Sequence, residues 1–457
     1  MSLTSASKDV ATDRKTLWFY SYLPTNMAGG CFDSLLPVFI VLALGGSVGA
    51  VAAVSVAASL SAVPSLIFWG KISDTMKWRK HFIVLGFLGR SIAYTVMGFS
   101  VGTGQLLFAN ILMGLLASAS TPAMSILILE SFDKGVWSEK IGLFNKVAGI
   151  GNIAGIALGS LWIAFTPNIL FGGDIQISLR MLFLINAVLA LVGTWLAFLL
   201  VVEPDEKISR ETFHEHLLQV IRWTQDRARY FPERIHHFFT MKHLSEVVTR
   251  HHKGETYIMW FLAATFIYNI GAVGFFTIAP VFLMKELEMD GALIFALSFI
   301  QALASTLLFK YFGRFSDRGD KPKLLFLSKT SRVFIFGLYI AAIPILAISF
   351  WGAVLFLVVL HVAMGASWAI IADTQLPIAV GSGPDDSKGS HAGIFNATVG
   401  LGAIAGGAIG GIVAILIGFV PSIILCSAII LGSAIILRIA VMPRAQKAAE
   451  LLPTAHG

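Results

Sequence analysis

The sequence predicts an all-α membrane protein, with twelve transmembrane helices arranged as two pseudo-symmetric six-helix bundles. Three observations predict it: twelve long apolar runs, a one-sided distribution of lysine and arginine, and an internal repeat that keeps its register over several helices. The background composition agrees. Hydrophobic residues make up 56% of the 457 and charged residues only 13%, against roughly 45–50% and about 25% in soluble domains. A mean hydropathy of +0.80 excludes an ordinary water-soluble globule.

Spanning the hydrocarbon takes about 20 mostly apolar residues. Such runs lie near 16–44, 47–69, 81–101, 104–130, 140–165, 179–202, 256–284, 291–312, 324–347, 351–377, 390–418 and 420–442. Several are separated only by tight turns, such as Gly45-Gly46-Ser47 and Gly102-Thr103-Gly104, so consecutive helices form hairpins. The 43 glycines fit membrane helices, where Gly is commoner than in soluble ones. Cys31 and Cys426 both fall inside apolar runs, which argues against a disulfide framework.

Lysine and arginine set the orientation. With the N-terminus inside, the inner segments carry Lys8, Arg14, Lys15, Lys71, Lys77, Arg79, Lys80 and the nine basic residues of 203–254. They also carry Arg314, Arg318, Lys321, Lys323, Lys388, Arg444 and Lys447, whereas the outer connections offer only Arg180 and Lys285. The positive-inside rule then puts both termini in the cytoplasm. It also gives the net charge of +7 a cause other than nucleic-acid binding. The expected organisation is a cytoplasmic tail at 1–15, with no cleavable signal pattern, a bundle at 16–202, a linker at 203–254, a second bundle at 255–442 and a tail at 443–457. The linker's helical apolar spacing suggests amphipathic helices on the cytoplasmic face. Its histidines lack tight ligand spacing, so no metal is expected.

The repeat is the strongest signal. Asn269 lies 243 positions after Asn26, Pro280 243 after Pro37, and Gly313 243 after Gly70. The segment GKISDTMKWRK from Gly70 thus matches GRFSDRGDKPK from Gly313. Farther on, GLFNKVAGIGNIAG from Gly142 matches GIFNATVGLGAIAG from Gly393, 251 positions later, and this pairs Asn145 with Asn396. Apolar helices share composition by chance, but not matched Asn, Pro and Asp in register. Two parallel six-helix repeats are a known transporter plan.

The loop G-x-[IF]-S-D, repeated and followed by basic residues, resembles the signature loop of the major facilitator superfamily, and the resemblance covers essentially the whole chain. It implies a carrier working by alternating access. It also implies that Asp74 faces the start of helix 11 near Ser390, and Asp317 the start of helix 5 near Ser138. A helix N-terminus offers unsatisfied N–H groups and about half a positive charge to such a carboxylate. The expected gating set is Gly70, Asp74, Arg79, Glu130, Gly313, Asp317 and Arg318, with Glu130 as the acid partner of the loop's basic residue. The sequence departs from the family pattern at Thr75, where Arg or Lys is usual, and at Lys77 and Asp320, where Gly is usual.

Ionisable groups inside a membrane are costly and hence functional candidates. Asp33 lies seven residues after Asn26, on the same helix face, and is the first candidate for proton exchange or for binding a cationic substrate. Arg90, Lys329, Arg332 and Asp373 are expected to be structural, with Asp373 pairing either with the basic cluster or with Arg318. His361 is either a titrating group or a packing histidine. Asn26, Asn269, Asn145, Asn396, Gln301, Trp368 and Gln375 are candidate substrate contacts, each equally able to serve as an interhelical hydrogen-bond partner. Asn110 stands where proton antiporters of the superfamily often carry Arg, and the Gly151, Gly155, Gly159 ladder lacks the Pro that normally follows it; both weaken an antiporter reading.

No phosphate-binding loop of the G-x-x-x-x-G-K-[ST] type is found, and no nucleophile–base constellation. The expected function is secondary active transport of a small organic solute, proton-coupled, with efflux favoured. Proton-coupled uptake of a sugar or organic acid is the alternative, and a non-transporting receptor or enzyme on the same fold the remote one. The expected partners are a small-molecule substrate, protons and the lipid bilayer, with no nucleic acid. The expected setting is a monomer in the plasma or inner membrane, not an enzyme and without cofactors.

Overall fold

The computed structural model describes residues 15–45, 48–202, 255–289, 291–381 and 388–443. The predicted tails and the linker with its histidines lie outside the described residues, apart from Lys15 and Pro443. Helices account for nearly all the rest, and no strand occurs among the described residues.

Helix α1 (Tyr22–Val38) follows a 3-10 turn over Leu17–Ser21. It is followed by α2 (Val48–Met76), α3 (Arg79–Gly98), α4 (Thr103–Ser131), α5 (Trp137–Leu170) and α6 (Ile175–Leu200). Next come α7 (Glu255–Lys285), α8 (Gly291–Arg318), α9 (Lys321–Ile348), α10 (Phe350–Gly381), α11 (Lys388–Ile417) and α12 (Phe419–Ile436). Among the described residues, 10 helices are long and apolar enough to cross a membrane, namely those from α3 onward.

Two expected boundaries move. The signature segment from Gly70 is not a loop: α2 continues to Met76 and α8 to Arg318. A helix bonds its own backbone and so runs on past its apolar stretch until a residue stops it. In α2 that residue is Lys77, whose φ of 54° leaves the right-handed region. This is where the loop pattern usually has Gly, which takes that conformation without a Cβ clash. At the matching end of α8, Asp320 caps α9, its carboxylate accepting from Lys323 N at 3.1 Å.

Proline interrupts two spans. In α4 the regular helix breaks between Ala117 and Ser120, because Pro122 has no N–H for the Ser118 carbonyl. Pro344 deprives the Ile340 carbonyl in the same way, and α9 tightens to a 3-10 turn at Tyr339–Ala341.

Packing repeats as the sequence does. Helix α1 packs on α5 and α6, α3 on α4 and α6, and α2 on α4; the same pairs recur as α7 on α11 and α12, α9 on α10 and α12, and α8 on α10. Glycine enforces the closest of these. A Cβ at Gly155 would overlap the Met27 carbonyl, and one at Gly406 the Ile270 carbonyl. Gly406 is 251 after Gly155 and Ile270 is 243 after Met27, the two offsets of the sequence repeat. Between the two sets the main contacts are α5 with α8 and α2 with α11, which are one another's repeat mates. Large exposed apolar side chains, among them Trp195, Phe198, Ile415 and Ile439, form the outer surface, as suits a protein surrounded by lipid.

Candidate functional site

The two halves are tied at the end that carries the basic segments. Asp317, at the end of α8, accepts hydrogen bonds from the first turn of α5: Ser138 N to Oδ1 at 3.0 Å and Glu139 N to Oδ2 at 2.7 Å. Lys321 Nζ stands 2.9 Å from Oδ1. The repeat mate is Asp74, at the end of α2, which accepts from Gly389 N in the first turn of α11. Gly313 and Gly70 permit the approach, since a Cβ on either would strike the Ser138 or Gly389 carbonyl. Each carboxylate therefore meets two favourable fields, free N–H groups and a helix dipole.

Arg79 braces the first latch from behind. Its guanidinium is 3% exposed and forks onto Glu130, Nη2 to Oε1 at 2.8 Å and Nε to Oε2 at 3.2 Å. Nη1 donates to the Ser73 hydroxyl at 2.8 Å and to the Ser73 carbonyl. Thr75, where the loop pattern has a base, bonds back to the Lys71 carbonyl at 2.9 Å. Arg318 is exposed, and Lys321 is the base beside Asp317.

Along the α5 and α8 pair tied by Asp317 lies a cavity of about 400 Å³ between the halves. Helix α1 contributes Asn26 and α5 contributes Asn145, Gly149 and Asn152; α8 contributes Ser298, Gln301, Ser305, Thr306 and Phe309. Phe276 of α7 and Trp368 of α10 complete the aromatic part of the wall. Its floor is a bond between halves, Asn145 Nδ2 donating to Asp373 Oδ1 at 3.0 Å.

The amino-acid sequence matches the Major Facilitator Superfamily over residues 18–372. The chain belongs to that superfamily. No curated protein sequence matches it. Among solved structures, the human organic anion transporter MFSD10 (TETRAN) is similar in fold, with a TM-score of 0.68, 15% identity, and coverage of 93% of this chain and 99% of that one. Membership of the superfamily makes this a multi-pass membrane protein of a transporter family.

In this superfamily member only some of the expected contacts line the cavity. Asn26, Asn145, Gln301 and Trp368 do. Asn269 is buried instead against Gly402 and donates to the Thr265 carbonyl at 2.8 Å. Asn396 donates to the Ala392 carbonyl at 2.8 Å, and Gln375 is buried outside the lining. His361 is a packing residue: Nε2 meets the Tyr339 hydroxyl at 2.9 Å and Nδ1 the Leu357 carbonyl at 2.8 Å. Asp33 is exposed two turns beyond Asn26 on the same face of α1, outside the cavity lining, with Arg90 of α3 as its charged neighbour.

Asp373 differs most from expectation. Among the described residues it pairs with neither Arg318 nor the basic cluster but with Asn145, and its second oxygen lacks a hydrogen-bond partner. The cavity lining carries four amides, Asn26, Asn145, Asn152 and Gln301. Asn152 repeats Asn145 after seven residues, and Ser298, Gln301 and Ser305 form a polar stripe at helical spacing within apolar α8. That stripe is the signal that would have found them.

Proposed function

We propose that this protein is a secondary active transporter that moves a small organic solute by alternating access, coupled to protons, with efflux the favoured direction. The observation that carries the reading is the position of the cavity, between the halves and lined by the same α5 and α8 that the Asp317 contact ties at their ends. With the basic segments in the cytoplasm, the two carboxylate latches close the inner side, and releasing them would open the cavity inward. Both termini are then cytoplasmic, and the chain acts as a monomer in the plasma or inner membrane, as a carrier and not an enzyme. The organisation into 16–202 and 255–442 bundles joined by a cytoplasmic linker belongs to the same proposal.

Two carboxyls are placed to couple protons. Asp33 is exposed two turns from Asn26 of the lining, and Asp373 is buried between the halves with one oxygen unbonded among the described residues. An unpaired buried charge is expensive, so gaining or losing a proton at Asp373 alters the cost of keeping α5 and α10 together. Uptake of a sugar or organic acid is the second reading. The four amides and three hydroxyls of the lining favour it as regards the substrate's polarity, and the organic anion named for MFSD10 is of that kind.

The test is flux in proteoliposomes containing the purified chain, under pH gradients of either sign, with glucose, 2-naphthoate and tetraphenylphosphonium as labelled probes. Wild type should accumulate at least one probe against its gradient. Asp33→Asn or Asp373→Asn should abolish gradient-driven accumulation while leaving exchange intact. Accumulation that ignores the pH gradient, or coupling that survives in both variants, rejects the proton assignment.

A further inference from the structure

The C-terminal half buries two basic side chains, one of which, Arg332, lies directly behind the cavity wall. Arg332 of α9 is 1% exposed and Lys329, one turn away, is 0% exposed. Arg332 is held by neutral groups: Nε donates to Ser367 Oγ at 3.0 Å, Nη1 to Tyr268 Oη at 2.8 Å and Nη2 to the Met364 carbonyl at 3.2 Å. Lys329 Nζ reaches only the Ala264 carbonyl at 3.5 Å and Ser433 Oγ at 3.4 Å. Among the described residues neither has a carboxylate within ion-pairing distance. The guanidinium carbon sits 5.4 Å from the centre of the Trp368 ring and 5.7 Å from that of Phe276, and both rings face the cavity. One layer of aromatic side chain thus separates the charge from the space where a substrate would lie.

Comparison of the two repeats sharpens the point. In the N-terminal half the basic residue of α3, Arg90, has Asp33 as its charged neighbour. The residue 243 positions after Asp33 is Phe276, whereas Arg332 lies 242 positions after Arg90, one residue out of register. The C-terminal half therefore carries a ring that lines the cavity where the N-terminal half has a carboxylate, and its basic side chains stand at shifted positions of the matching helix. Among the described residues the lining has no acidic or basic side chain, and Asp373 lies behind Asn145 at the floor. Buried charge lacking a counter-ion is normally disfavoured, and at this site the missing anion has room in the cavity.

We propose that the substrate is a monoanionic organic solute with a flat apolar body, its charge selected by Arg332 through the Trp368–Phe276 wall, with Lys329 one helical turn away along α9. This inference rests on the carrier reading above. Arg332 acts as a specificity residue, through the ring layer, while the amides of the lining supply donors to the anionic group.

Three probes with one ring system and different charge test it: 2-naphthoate, 2-naphthamide and 2-naphthylmethylammonium, titrated against the thermal unfolding of the full chain in detergent. The naphthoate should bind at least tenfold more tightly than the amide, and the ammonium least. Arg332→Gln keeps a donor but not the charge and should bring the naphthoate-to-naphthamide ratio close to one, while Arg332→Lys retains part of it. If Arg332→Gln does not fold, Lys329→Met must lower the ratio by itself. Equal binding of the three probes, no binding of the naphthoate, or a ratio that survives the charge-removing variants overturns the inference. Flux is scored separately. Anion-selective binding without flux of any probe sinks the carrier reading and leaves the site, whereas flux of only the neutral or cationic probe sinks the site and leaves the carrier.

Discussion

Replacing Asp317 by Asn perturbs the latch between α8 and α5 with almost no change in shape. The carboxylate accepts from two backbone N–H groups, at 3.0 and 2.7 Å, at a helix N-terminus. Hydrogen bonds to charged groups contribute about 1.5–3 kcal/mol each, and a helix dipole up to about 2 kcal/mol in partly buried geometry. The amide retains one acceptor oxygen, so one bond survives as a neutral one while the second bond and the charge are lost. A net loss of about 2–3 kcal/mol follows, or roughly 30- to 150-fold in the closed-to-open ratio at about 1.4 kcal/mol per tenfold. If the open form at the latched side is about 1% populated in wild type, it rises to between about 25% and 60%. Spin labels at Asp133 and Lys323, exposed at this end on different halves, would report the change as a longer-distance population in pulsed electron resonance. Cys31 and Cys426 are buried and should remain unlabelled. A distance distribution unchanged in Asp317→Asn would refute the reasoning. Asp74→Asn, its repeat mate, should act in the same direction.

Two further outcomes concern stability. Gly155→Ala drives a Cβ into the Met27 carbonyl, and separating α1 from α5 should cost about 1–3 kcal/mol. It should appear as a lower unfolding midpoint that Gly406→Ala reproduces and Gly29→Ala, which meets nothing within 4 Å, does not. Glu130→Gln leaves the Arg79 guanidinium buried with half its charge-assisted bonds. It should destabilise by about 2–3 kcal/mol, below the roughly 3–5 kcal/mol for breaking a fully buried pair, because Glu130 is 29% exposed. A midpoint equal to wild type would show that Ser73 alone satisfies the arginine.

The sequence by itself determined the helical plan, the repeat and the latches. Spans in a membrane must satisfy their own backbone, so length and apolarity suffice to find them. Duplication fixed the register so closely that offsets of 243 and 251 also predict contacts, such as Gly151 on Leu23 and Gly402 on Phe266. The latch aspartates and their helix starts were legible through the resemblance of the repeated G-x-[IF]-S-D segment to the superfamily's signature loop. The same resemblance offered Glu130 as the acid partner of that loop's basic residue, which the structure shows to be Arg79. The cavity was not legible in this way. Lipid and core are both apolar, so a membrane helix shows little amphipathic pattern to mark which of its faces turns inward. Asn26 and Asn269 are exact repeat mates, yet only Asn26 reaches the cavity while Asn269 packs on Gly402. Asp373 offered bases as plausible partners in the chain, but its partner is Asn145, 228 residues away. Only the packing of α5 against α10 decides that pairing. The same holds for the cavity's charge: Arg332 is visible as a basic residue in an apolar run, but the absence of a carboxylate beside it, and the presence of Phe276 between it and the cavity, depend on how three helices meet.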